Sequence, residues 1–109
     1  MKRPAAVILL LLMPACATSF VTTRTSTGPV TPSAPHCSFA VLTSRAARPY
    51  EELAILDVKP DGMGFSIRNA GDFKKLVEAE VCSLGGDAVF AEINGYGGYV
   101  RGTVLRWKD

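Results

Sequence analysis

The stretch NAGDFKKLVEAEVCSLGGDAVFAEI, residues 69–93, decides the fold, because its hydrophobic period changes midway from that of a helix to that of a strand. At one residue per about 100°, Phe73, Leu76, Val77 and Leu84 cluster within about 100°, the width of a core-facing stripe. Asn69 or Asp72 can cap this helix, and Gly85-Gly86 ends it. Residues 88–93 then read as a strand. Glu80 falls on the apolar side, either at the stripe's edge or paired with a basic residue. Cys82 projects from the opposite side, a poor place for core filler and a good one for a bond to a segment crossing the helix's outer surface.

Working toward the C terminus, 94–98 (NGYGG) is a glycine-rich hairpin turn and 99–107 a further strand. Its alternation sends Tyr99, Arg101, Thr103, Leu105 and Trp107 one way and Val100, Gly102, Val104, Arg106 and Lys108 the other. Working toward the N terminus, 53–59 is a largely apolar strand ended by Pro60-Asp61-Gly62, a strong turn signal. Residues 65–67 can form a short strand. A connection over 43–52 precedes, and 39–42 supplies the first strand. The expected architecture is α+β: a small single domain of order β-β-α-β-β, with a four-stranded sheet and one main helix packed on one face. Both sheet faces carry apolar side chains, so the face away from the helix must be covered by residues 43–52, by residues 64–71 or by a partner.

The other end of the chain carries the address. Lys2-Arg3, an apolar run from Ala5 to Met13, and Pro14-Ala15-Cys16 have the form of a secretory signal peptide. The apolar run falls well short of the about 20 residues needed to span a bilayer. Cysteine directly after the small Ala15 gives the bacterial lipoprotein reading: residues 1–15 are the signal peptide, and Cys16 is the lipidation site, carrying palmitate-type acyl chains. The competing reading is a soluble signal peptide cleaved slightly later, since Met13 stands where Leu is usual. Several acyl chains on one residue bind a membrane durably, each buried methylene contributing about 0.8 kcal/mol. Ala17, in place of the Asp that retains lipoproteins at the inner membrane of enteric bacteria, directs the expectation to the outer membrane of the cell envelope, with the domain in the periplasm or at the surface.

Removing Lys2 and Arg3 erases the excess of basic residues, twelve Lys and Arg against ten Asp and Glu in the full chain. No basic stripe is left for a phosphate backbone, and a nucleic acid partner is excluded. Residues 16–36 are expected to be the lipidated cysteine and a disordered Ser/Thr/Pro tether, too polar to bury the surface that ordering requires. Residues 37–109 form the folded domain, near the size at which small scaffolds need a staple. With Cys16 lipidated, Cys37 and Cys82 are the two thiols that remain, and an oxidising envelope favours a disulfide over two buried free thiols. Closing a loop of about 46 residues contributes about 4 kcal/mol in the chain-entropy estimate.

Catalytic constellations are sparse. The sole histidine, His36, sits beside Cys37 without further metal ligands, and Ser38 and Ser83 lack a positioned base. Glu51 and Glu52 are adjacent and point apart if extended, while Asp57 and Asp61 flank a turn. The glycines of 95–98 lie between two strands and match no dinucleotide or phosphate-binding fingerprint. No catalytic, metal or cofactor site is therefore expected, and the chain reads as a non-enzymatic module. Tyr96, Tyr99 and Trp107 are the candidate contact residues for an envelope protein or for peptidoglycan. The alternative is a small enzyme or metal-handling periplasmic protein, which would need polar groups such as His36, Asp57, Glu80 and Glu92 to converge near the sheet.

At Cys82-Ser83-Leu84-Gly85-Gly86-Asp87-Ala88-Val89 a helix runs through paired glycines straight into a strand. This segment resembles the YbjQ-type family of small bacterial proteins and the related fold of the outer-membrane stress-sensor lipoprotein of the Rcs phosphorelay. Gly85 can take the left-handed cap, Asp87 can bond turn amides, and Ala88 lets the strand start tight against the helix end. The resemblance extends over about residues 39–105 and implies an envelope role in stress sensing or structure. The Rcs sensor's folded domain holds two disulfides, where this chain can form one.

Overall fold

The computed structural model describes residues 18–59 and 67–108. They form an α+β domain with one helix and a five-stranded mixed sheet. The elements are β1 (Ser19–Arg24), β2 (Ala40–Leu42), β3 (Tyr50–Lys59), α1 (Ala70–Ser83), β4 (Ala88–Ile93) and β5 (Tyr99–Trp107). The sheet order is β1-β3-β5-β4-β2, antiparallel except where β2 pairs with β4. The signal peptide and Cys16 lie outside the described residues, as do 65 and 66 of the expected short strand. Ile67 is in no strand, and its carbonyl accepts the Tyr99 N–H at 2.8 Å.

The fifth strand corrects the four-stranded expectation and the disordered reading of 16–36. Residues 19–24 pair in register with β3, from Ser19 opposite Lys59 to Arg24 opposite Ala54. The polar composition suggested a tether, yet Phe20, Val21, Thr22 and Thr23 are aromatic or β-branched and fit a pleated surface. Without β1, the outer edge of the ten-residue β3 would expose a row of unpaired backbone groups. Phe20 packs against the core. The chain beyond β1 is held too: Thr25 and Ser26 N–H donate to the Leu53 carbonyl, and Ser33 N–H to that of Cys82 at 2.7 Å.

The helix follows its sequence closely. Asn69 caps it from an extended conformation, its Oδ1 accepting the Asp72 N–H at 2.8 Å, and the Asp72 carboxylate lies in the first turn where the helix dipole favours it. At the other end Gly85 adopts φ 73°, and the N–H groups of Gly85 and Gly86 donate to the carbonyls of Cys82 and Val81. This paired closure satisfies two terminal carbonyls. A side chain at Gly86 would meet Val104 Cγ1 at 2.6 Å, so the turn requires two glycines for two reasons, conformation at the first and close approach at the second. Phe73, Val77 and Val81 are fully buried and share the core with Ala54, Leu56, Val89 and Val104 from the three central strands. Gly102 lies directly under Phe73.

Cys37 and Cys82 form the disulfide, their Cα atoms 5.6 Å apart. The expected position of Cys82 is refined: it is buried within the core cluster, because residues 33–39 lie along that flank of the helix and cover it. Beside it the Cys37 N–H points at Cys82 Sγ, His36 Nδ1 stands 3.5 Å from Glu78 Oε2, and Lys74 Nζ sits 5.0 Å from the Phe39 ring centroid. Lys74, Glu78 and Cys82 recur at four-residue spacing and so make one helix flank.

Replacing Cys37 and Cys82 together by Ala is expected to lower the unfolding free energy by about 4 kcal/mol. Urea unfolding measures this, and a loss under about 1 kcal/mol would show that the bond is not a principal support. Gly102→Ala places Cβ 2.8 Å from both Phe73 Cζ and Val89 Cγ2. Overpacking of this kind is expected to cost about 1–3 kcal/mol in the same measurement.

Candidate functional site

The sheet face turned away from the helix is laid out by cross-strand register. With Gly102 under the helix, its neighbours Arg101 and Thr103 face the other way. Arg101 stands between Asp57 of β3 and Glu92 of β4, and Thr103 between Ile55 and Phe90. Leu105 stands between Glu52 and Ala88, and Trp107 is opposite Tyr50. Beginning β3 at Tyr50 rather than at residue 53 adds Tyr50 and Glu52 to this surface, and a bulge between Glu52 and Ala54 keeps both faces in phase.

Residues 43–49 cross this face in passing from β2 to β3, on opposite sides of the sheet. The crossing is fixed at its far end, where the Lys108 N–H donates to the Pro49 carbonyl at 3.1 Å and Arg48 Cζ lies 4.4 Å from the Trp107 ring centroid. Arg45 and Ala46 wall a cleft of about 230 Å³ whose other sides are Tyr50, Glu52, Phe90, Glu92, Thr103 and Leu105. A shallower groove of about 400 Å³ continues over the crossing between Leu42 and Trp107. The crossing thus covers part of the face and turns the remainder into a concavity.

The cleft is mainly polar, with half-buried Phe90 as its apolar contact and Leu105 buried beneath it. Arg101 pairs with Asp57 at 3.1 Å on this face, while Arg106 pairs with Glu51 at 3.3 Å on the helix side of the sheet. Among the described residues, Arg45, Glu52 and Glu92 enter no ion pair. Two carboxylates and one guanidinium therefore border Phe90, Tyr50 and Leu105 with their hydrogen-bonding capacity available to a ligand.

The expected contact residues are divided by the structure. Tyr96 is 83% exposed at the hairpin tip. Trp107 is half-buried beneath Arg48, at the end of the groove. Tyr99 is a correction: it is 7% exposed, and its ring stacks on Phe73 with centroids 5.1 Å apart. The register shifts between Glu92 and Ile93, leaving Val100 as the extra residue and turning Tyr99 onto the helix side, so strict alternation from 99 to 107 fails at its first step. The polar groups of the enzyme or metal alternative occupy separate places: His36 faces Glu78 on the helix flank, Glu80 lies on the helix, Asp57 is held by Arg101 and Glu92 borders the cleft. Among the described residues no three His, Cys, Asp or Glu side chains are grouped to hold a metal ion, and no helix is long and apolar enough to cross a membrane.

Arg45, Tyr50, Glu52 and Phe90 had no motif to mark them. Phe90 alone carried a signal, an aromatic residue out of phase with the core-facing Val89 and Ala91. Arg48→Ala is expected to shift Trp107 fluorescence toward that of a water-exposed indole, with a stability loss of no more than about 1 kcal/mol, the usual scale of an exposed cation–π contact. Unchanged emission would show that the crossing does not close over Trp107. No family model matches the chain, and neither a curated protein nor a solved structure matches it.

Proposed function

We propose that the protein is a non-enzymatic lipoprotein of the bacterial envelope, anchored to the outer membrane through acylated Cys16, which takes a partner on the helix-free face of its sheet. The observation that carries this reading is the mainly polar cleft under residues 43–49, where Arg45, Glu52 and Glu92 surround Phe90. That combination suits a peptide-like ligand, with amines opposite the two glutamates, a carboxylate opposite Arg45 and an apolar contact with Phe90. Envelope proteins and the peptides of peptidoglycan both present such groups. The likeness of residues 82–89 to the Rcs stress sensor supports stress sensing or a structural envelope role as the process for the module.

Ordering of β1 bears on how the module is held. Ser19 begins the strand about three residue steps after Cys16, a reach of about 10 Å, where a disordered tether to residue 36 could extend about 65 Å. An acylated Cys16 therefore keeps the domain against the bilayer.

A photo-crosslinking residue at position 45 in living cells is expected to capture one reproducible envelope species, while the same residue at exposed position 75 on the outer helix surface captures none. Muramidase digestion of the adduct distinguishes peptidoglycan from protein. Glu52→Gln with Glu92→Gln should reduce the yield from position 45. If both positions labelled the same background, the cleft would be abandoned as the contact site.

A further inference from the structure

The exposed apolar side chains of the domain are not scattered. Among the described residues the large ones are Val21 (51% exposed), Val30, Ile93 (43%), Tyr96 (83%) and Val100 (37%). Four of these five share one end of the sheet. Ile93 pairs with Tyr99 where the β4–β5 hairpin opens, Val100 follows, and Tyr96 is at the tip. Val21 is opposite Asp57, which is opposite Arg101 one residue beyond Val100. This is also the end at which β1 begins: Ser19 is opposite Lys59, at the close of β3. The chain leading back to Cys16 therefore leaves the domain where its apolar residues are exposed.

Four of the five N–H groups of residues 94–98 are paired within the hairpin. Asn94 Oδ1 accepts the N–H groups of Tyr96 and Gly98, both at 2.9 Å. The Asn94 N–H donates to the Gly98 carbonyl and the Gly97 N–H to the Asn94 carbonyl. Arg68 donates to the Tyr96 carbonyl. A turn with most of its N–H groups paired internally leaves water at a smaller cost than an open loop, which would carry more unpaired donors toward the lipid. Tyrosine suits this boundary, with an apolar ring and a hydroxyl that stays at headgroup level.

We propose that this end of the sheet, with Tyr96 at the tip and Ile93, Val100 and Val21 beside it, docks into the surface of the lipid bilayer. The proposal rests on acylation of Cys16, and it gives the anchored domain one orientation. The hairpin end is seated in the membrane, and the Trp107 end of the sheet stands away from it. Among the described residues at this end Lys59, Arg68 and Arg101 are matched by Asp57, Asp72 and Glu92, so charge contributes little. The contact should therefore depend weakly on the anionic lipid fraction and on salt.

Trp107 is the only tryptophan and lies at the opposite end of β5, so it serves as an internal reference for depth. The full-length processed protein carrying Tyr96→Trp is reconstituted in phosphatidylethanolamine–phosphatidylglycerol vesicles with brominated acyl chains, and Cys16 acylation in the same sample is read by mass spectrometry. The expected result is loss of the emission added at position 96, at low and high phosphatidylglycerol alike, while wild-type Trp107 emission and that added by Lys75→Trp are unaffected. If Cys16 is acylated and the emission added at position 96 is not quenched, docking is overturned and the anchor stands. Quenching that appears only with abundant phosphatidylglycerol would overturn the apolar basis of the contact. A Cys16 without acyl chains would overturn the anchor and the docking together.

Discussion

The covalent bond between Cys37 and Cys82 is the constraint on which the rest of the arrangement depends. β1 and β2 are consecutive in the chain yet occupy opposite edges of the sheet, so residues 25–39 must travel its full width. They do so on the helix side, where Thr31 meets Gly85, Ser33 bonds to the Cys82 carbonyl and Phe39 packs into the core. The disulfide fixes this crossing to the last turn of the helix. Residues 43–49 then return across the other face to β3. One segment straps each face, and the cleft exists because the second strap leaves part of its face open.

Two kinds of interaction divide the energetics. Burial of Phe73, Val77 and Val81 over the central strands supplies the apolar driving force, and the disulfide adds to it by restricting the unfolded chain. The surface ion pairs contribute little by comparison, since Arg101–Asp57 and Arg106–Glu51 are substantially exposed and pairs of this kind are worth at most about 1 kcal/mol. Each fixes side chains across β3 and β5, Arg101–Asp57 on the cleft face and Arg106–Glu51 on the helix face, and among the described residues Arg45, Glu52 and Glu92 are the unpaired charges that line the cleft.

Elements governed by local chemistry were legible in the sequence. The Asn69 cap, the Gly85-Gly86 closure, β4 and β5 all occur where capping, glycine and period-two signals place them, and the pairing of Cys37 with Cys82 was expected from the cysteine count and an assumed oxidising compartment. Elements governed by distant partners were not. Residues 19–24 look like linker until β3 offers an edge, and Tyr50 and Glu52 look like turn until Trp107 and Leu105 stand opposite them. Tyr99 was misplaced because a single extra residue at Val100 inverts the face of everything before it. The cleft was the least legible feature, being assembled from an irregular crossing and three strands that no sequence period connects.

The position of β1 has a mechanical consequence. A pull on the N terminus directed away from the Ser19 end runs along the strand axis, so it loads the β1–β3 ladder in shear, with its hydrogen bonds sharing the force instead of parting one at a time. Should that ladder give way, the chain would pay out only as far as Cys37, where the covalent bond to the helix stops it. The released arm is about 18 residues, about 60 Å at full extension. The core would remain folded, and its distance from the point of pull would rise to a fixed maximum.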